Sequence, residues 1–263
     1  MMPDSSFAII GSAWLFYKKH SALNSIWLWL LTVPLSAMLI TAEYSSRNPY
    51  FLEIKKNGVV WGVTDMRPMI AFVLAMALLA VIITWGVSCV LVVGKRLITS
   101  KAGRSRTSFR SVSKEAREFI IPMVITDVLR DLLTVIFGLF LIVPGVIFAV
   151  RTSFYRIAMV ARGAGCADSL KTSREIVMGN TLKTLMYLIG IFLYLFVPSV
   201  ILSGALIALS QYFLPQGFFP IALLLVSAIL GFAEMIYLIS MVILYGEIGR
   251  LPKNVSVFRS PNP

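Results

Sequence analysis

A single histidine, His20, and two cysteines, Cys89 and Cys166, are all the imidazole and thiol that 263 residues contain. That scarcity argues against a metal centre, which draws several ligands from His, Cys and carboxylates. It also argues against a serine nucleophile with a histidine base, because Ser12, Ser203 and Ser240 would all depend on His20. The expectation is therefore no metal, no cofactor and no catalytic residue. Cys89 lies inside an apolar run and Cys166 in a basic loop, without a Cys-x-x-Cys pair, so no disulfide is expected.

Acidic side chains are scarce too: 12 Asp and Glu stand against 24 Lys and Arg, a net charge of +12. Charged residues of both signs make up only 14% of the chain and apolar residues 58%. A soluble domain has about 25% charged and about 45–50% apolar residues, so a soluble core is excluded. On a soluble protein the basic excess would suggest nucleic acid. Here the cations cluster in loops that flank apolar runs. That pattern is the positive-inside bias, with anionic lipid headgroups as the partner and no nucleic acid.

A helix needs about twenty apolar residues to cross the hydrocarbon layer. Six stretches meet or approach that length: 25–42, 69–93, 119–143, 146–161, 184–209 and 219–245. They define an all-α, six-helix membrane domain over 25–248, with both termini cytoplasmic, a lead at 1–24 and a tail at 249–263. In the lead, Phe7, Ile10, Trp14, Leu15 and Tyr17 fall near helical spacing. The lead reads equally as a surface-lying helix or as a partly ordered tail. The first stretch resembles a signal peptide but is too long for one, and further spans follow. Residues 43–67 read as a polar loop, with a turn at Asn57-Gly58 and alternation at Val59, Trp61 and Val63 that permits a short hairpin.

The most basic loop holds Lys95, Arg96, Lys101, Arg104, Arg106 and Arg110, and a second basic segment covers 162–183. Six spans put both on the cytoplasmic side. A five-span alternative takes 132–150 as one span and lays 113–131 on the surface. It would place 162–183 outside, against the charge rule. Pro144-Gly145 is read as the break between the third and fourth spans.

Gly94-Lys95 lacks the spaced glycine of a phosphate loop, and Gly163-Ala164-Gly165 lacks the third glycine of a dinucleotide fingerprint. Asn254-Val255-Ser256 fits a glycosylation triplet but sits in a basic tail expected to face the cytoplasm. A weak internal repeat links the segments that begin Lys114-Glu115 and Lys171-Thr172, and Val-Pro recurs at Pro34, Pro144 and Pro198. Shared wording of this kind also arises from the small alphabet of apolar helices.

Within the spans, charges cost about 2.5–3.5 kcal/mol each at the bilayer centre and need partners or water. Asp127, Arg130 and Asp131 fall at i, i+3 and i+4 and share a helix face. With Arg151, Arg156 and Glu234 they form a candidate polar cluster in which an arginine of the fourth span would pair Glu234. Such a cluster is either an ion-pair network that fixes helix rotation or the lining of a pathway.

From 141 to 180 the wording is more specific. Pro144-Gly145 is followed by Arg151, then by Leu170 and Ser173, then by Gly179-Asn180. These residues resemble the YciC-like bacterial inner-membrane proteins and the related membrane domain found ahead of glycerophosphodiester phosphodiesterases. Ser169 stands where those families usually have alanine, and the acidic residue frequent in the preceding loop is missing. The resemblance implies six helices, the bacterial cytoplasmic membrane and no settled activity. The phosphodiesterase chemistry belongs to a separate barrel domain, for which this sequence leaves no room. Residues 169–177 read as a short interfacial helix, with Leu170, Ile176 and Val177 toward the membrane and Lys171 and Arg174 toward phosphates. The functional expectation is a non-enzymatic multi-pass protein that binds lipids or assembles with itself or other envelope proteins. The alternative is a transporter of small solutes or lipids that uses the polar cluster. A lipid-modifying enzyme is disfavoured for want of an acid, base and nucleophile set.

Overall fold

The computed structural model describes residues 5–58, 66–99, 108–213 and 218–250, and these residues are helical with short breaks and no strand. In chain order the elements are α1 (Ser6–Lys19), α2 (Ala22–Ser25), a π-helical segment (Ile26–Thr32), α3 (Val33–Arg47), α4 (Pro49–Asn57), α5 (Arg67–Thr99), α6 (Phe109–Arg117), α7 (Ile120–Phe140), α8 (Ile142–Arg151), α9 (Tyr155–Arg162), α10 (Cys166–Val177), α11 (Thr181–Tyr212) and α12 (Phe219–Arg250). Five stretches are long and apolar enough to cross a membrane: Ala22–Arg47, Arg67–Ile98, Ile142–Arg162, Thr181–Tyr212 and Phe219–Gly249. The chain is thus an all-helical multi-pass membrane protein. The sixth expected span, 119–143, is also a helix, α7. Asp127, Arg130 and Asp131 in its middle set it apart from the other five.

Small residues decide how the long helices interlock. A Cβ on Gly94 of α5 would lie 3.1 Å from Val242 of α12, and one on Gly246 would lie 3.7 Å from Ile98. The paired numbers rise together, so α5 and α12 run parallel. Leu30 and Leu31 of the π-helical segment enter the notch between Gly86 of α5 and Gly231 of α12. Farther along, the Arg47 guanidinium covers the Phe219 ring, so this first span runs antiparallel to α12. The Phe196 and Tyr237 rings meet edge to face at 5.7 Å across the antiparallel α11 and α12. The Leu30 carbonyl sits four residues before Pro34, which has no N–H to donate to it. That carbonyl is the atom nearest to a Cβ on Gly86.

Exposure divides α5 in two. Ile70, Val73, Leu74 and Leu78 are exposed, whereas Val87 and the run from Cys89 to Val93 are buried. The first half presents bare apolar side chains fit for lipid, and α6, α7, α9 and α12 cover the second half. Cys89 and Cys166 are both free.

The structure corrects several boundaries. The lead is a helix packed on the bundle: Ile9, Ala13 and Phe16 are buried, and Trp14, Tyr17 and Trp27 gather around Phe232. Trp27 donates its indole N–H to the Ala228 carbonyl at 2.9 Å. The polar loop at 43–67 is helical through Asn57, because Asn48 caps the Tyr50 N–H and Pro49 starts α4 with its φ already set. The hairpin considered at Val59, Trp61 and Val63 lies outside the described residues. The break between the third and fourth spans is at Leu141, whose backbone is extended, not at Pro144-Gly145. Pro144 falls in the first turn of α8, where a missing N–H leaves no bond unmade. Gly145 instead permits close approach, since its Cβ would stand 2.9 Å from the Gly138 Cα. Pro198 lies inside α11 without ending it. Leu170 and Val177 are buried against the protein, not turned toward the membrane.

Candidate functional site

α7 and α9 meet because the chain reverses at Leu141 and breaks again at Thr152–Phe154. The reversal sets Asp127 beside Arg156. Arg156 Nη2 lies 2.6 Å from Asp127 Oδ2, and its Nε donates to Oδ1 at 3.1 Å. The Tyr155 hydroxyl donates to the same Oδ1 and accepts from Arg156 Nε at 2.9 Å. One carboxylate therefore takes a two-point guanidinium contact and a phenol, the arrangement in which an ion pair removed from water is best supported. Arg130 completes the cluster. Its Nε donates to Thr152 Oγ1 at 3.3 Å, its Nη2 reaches the Ala149 carbonyl at 3.5 Å, and its Nη1 lies 3.3 Å from Asp131. The guanidinium groups of Arg130 and Arg156 lie 5.4 and 5.7 Å from the Tyr155 ring centre, close enough for the ring face to attract both. Asp131 is 71% exposed, so its contact with Arg130 contributes little.

The six residues expected to form one cluster separate into three groups. Asp127, Arg130, Asp131 and Arg156 come together with Tyr155 and Thr152, two residues that the sequence reading did not single out. Glu234 lies on α12 within the field of Arg156, but among the described residues no hydrogen bond or ion pair within 4 Å reaches it. Tyr237, one turn on, feels both Glu234 and Arg156. Arg151 stands apart and belongs to a different assembly.

That assembly gathers the later residues of the 141–180 motif, from Arg151 to Asn180. The Ser173 hydroxyl donates to the Arg151 carbonyl at 2.9 Å and accepts the Phe154 N–H at 3.0 Å. One side chain thus ties both ends of the break between α8 and α9 to α10. Leu170 is buried on the same face of α10. Gly179 has φ of +91°, a left-handed backbone that favours glycine, and lets the chain turn from α10 into α11. Asn180 occupies the N-cap position of α11, and its N–H bonds the Val177 carbonyl at 2.9 Å. Arg151 Nε then donates to Thr181 Oγ1 at 3.4 Å, at the first residue of α11. A cavity of about 240 Å³ opens here, lined by Arg151, Lys171, Arg174, Glu175 and Met178. Only the helix start at Thr181 and the turn at Leu141 bring Arg151 to this place, and neither is readable from spacing alone.

Of the basic loop, Lys95 and Arg96 form the end of α5, and Lys95 lies 3.6 Å from Glu115 of α6. Arg110 is exposed on α6. Lys101, Arg104 and Arg106 lie outside the described residues. His20 bonds the Phe16 carbonyl through Nδ1 at 2.9 Å and stacks on the Phe16 ring. Ser12 bonds the Ala8 carbonyl, while the buried hydroxyls of Ser203 and Ser240 have no partner among the described residues. Compared with known protein families, curated proteins and solved structures, the chain matches none.

Proposed function

We propose that this protein is a lipid-associated structural component of the bacterial cytoplasmic membrane, related to the YciC-like proteins, with no catalytic role. The observation that carries the reading is the Asp127–Tyr155–Arg156 centre. Its charges answer one another, and both carboxylate oxygens accept from protein groups, as in a network that fixes two helices. A transport pathway would leave such groups open to a cargo. The YciC-like relation is supported by the way Arg151, Leu170, Ser173, Gly179 and Asn180 serve one local structure, the junction of α8, α10 and α11, while Gly145 lets α8 approach α7.

The direction of the helices supports a topology with both termini on the cytoplasmic side. α5 is parallel to α12, and both α11 and the first span are antiparallel to it. The chain therefore leaves α5 and starts α11 at the same end of the bundle. Between them α7 and the α8–α9 unit, closed at Leu141, contribute two passes or none. Both counts keep the basic segments at 95–117 and 162–183 on one side, whereas five passes would not. Six passes also give lipid contact to Val135, Leu139, Phe140 and Ile142, which are exposed.

Native mass spectrometry of the protein released gently from its own membrane tests the functional reading. The expected result is retained phospholipid or a stoichiometric protein partner. A bare monomer that loses every lipid at the mildest release conditions would contradict it.

A further inference from the structure

We infer that the cavity between Arg151 and α10 is a binding site for the phosphate of an anionic glycerophospholipid. The inference rests on the lipid-associated reading above and gives it an address and a ligand class.

Three cations line this cavity, Arg151, Lys171 and Arg174, against one carboxylate, Glu175. Among the described residues none of the three has an ion-pair partner within 4 Å. Ion pairs elsewhere include Arg47–Glu43, Lys95–Glu115, Arg130–Asp131 and Arg156–Asp127. Three neighbouring basic side chains repel one another, and an anion close to all three reduces that cost. The contrast lies nearby: Arg156, on the element next to Arg151, has its charge paired by Asp127 and also bonds Tyr155. Arg151 is also held in place, with its Nε on Thr181 Oγ1 and its carbonyl on Ser173 Oγ. Its guanidinium is thus oriented before any ligand arrives, and among the described residues its two terminal nitrogens have no hydrogen-bond partner.

Volume and surroundings select the ligand class. At about 240 Å³ the cavity is smaller than the roughly 300–1,000 Å³ that encloses a drug-sized ligand. It suits a headgroup phosphate and is small for a nucleotide. Met178, on the cavity wall, is 69% exposed, and Leu182, immediately after Thr181, is 72% exposed. Met186, Ile189 and Leu193 continue as exposed apolar side chains along α11. Leu182, Met186, Ile189 and Leu193 stand at i, i+4, i+7 and i+11, which is one stripe of a helix. A cavity flanked by three basic residues, followed in the chain by an apolar stripe that starts in the first turn of a spanning helix, matches a phospholipid, with phosphate at the cations and acyl chains along α11. A soluble phosphate would make no use of the stripe.

The test uses the full chain in a neutral detergent and follows its thermal midpoint during titration. The probes are phosphatidylglycerol, phosphatidylcholine and inorganic phosphate. Phosphatidylglycerol is expected to raise the midpoint, and the other two to leave it unchanged. In the Lys171→Gln/Arg174→Gln variant the apparent affinity for phosphatidylglycerol falls about tenfold or more, the loss expected from two charge-assisted contacts. Both side chains are exposed, so the ligand-free midpoint stays at the wild-type value. Should the double variant unfold early, Lys171→Gln alone carries the test with a smaller loss. Lys55→Gln/Lys56→Gln, on α4, retains wild-type affinity and controls for net charge. Equal shifts with phosphatidylcholine, wild-type affinity in the double variant, or an equal shift with inorganic phosphate would each overturn the assignment. If native mass spectrometry still shows retained lipid while this titration fails, the cavity is wrong and the lipid-associated reading stands.

Discussion

Replacing Asp127 by alanine lowers the stability of the folded protein by about 2–3 kcal/mol. Removal of one partner from a buried ion pair costs about 3–5 kcal/mol, because the other charge remains without compensation. The loss here falls below that range, since the Asp127 and Arg156 side chains keep 20% and 33% of their exposure and water screens the stranded charge. Arg156 then has only the Tyr155 hydroxyl, and Tyr155 has lost its acceptor. The double replacement Asp127→Leu/Arg156→Met recovers at least half of the loss, because apolar side chains of similar volume fill the same space without stranding a charge. Thermal unfolding of the three variants in one detergent measures both effects. An Asp127→Ala protein as stable as wild type would remove the pair from the account of what joins α7 to α9.

Gly86→Ala destabilises even though alanine is the better helix former. A Cβ at this position would stand 2.8 Å from the Leu30 carbonyl oxygen and 2.9 Å from Leu31 Cδ2. The carbonyl belongs to the backbone of the π-helical segment and cannot rotate away. Overpacking of this kind costs about 1–3 kcal/mol and exceeds the roughly 1 kcal/mol that alanine contributes over glycine inside a helix. Gly86→Leu drives Leu30 and Leu31 out of their notch and prevents recovery of folded protein. Gly204→Ala has the opposite sign: nothing lies within 4 Å of its Cβ, so the helix propensity of alanine acts alone. Size-exclusion profiles and thermal midpoints of the three variants test the contrast. A Gly86→Ala protein as stable as Gly204→Ala would show that the first span does not seat against α5 as described.

The helices themselves were legible because apolar length and period are local properties. Residues 184–209 and 219–245 read as spans from composition alone, and α11 and α12 contain them. The spacing of Asp127, Arg130 and Asp131 suggested pairing within one helix, but Arg130 meets its immediate neighbour Asp131, and Asp127 pairs with Arg156 of α9. The misreadings are tertiary. Pro144 is a helix breaker by its chemistry, yet the chain puts it in a first turn, where that chemistry has no consequence. Arg151 and Arg156 looked alike in sequence, five residues apart on one span. The break at Thr152–Phe154, pinned by Ser173, turns one toward α7 and the other toward α10 and α11. Glu234 was expected to pair with an arginine of that span. Arg156 is close enough to act on it through space, but its guanidinium is already occupied by Asp127. The lead at 1–24 carried too few apolar residues to declare a docked helix, and only the surface around Phe232 shows what Trp14 and Tyr17 pack against.

A water-filled pathway and a closed network differ most at Glu234, which lies midway along α12 within reach of the Arg156 charge on α9. A Glu234→Cys substitution in a Cys89→Ala/Cys166→Ala background, treated with a charged thiol reagent in open membrane vesicles, reads water access directly. A Lys55→Cys protein in the same background supplies the exposed reference. The closed network predicts that Cys at 234 stays unmodified while the reference reacts to completion. Modification at 234 as fast as the reference would contradict the structural account and make a pathway past Arg156 the better description.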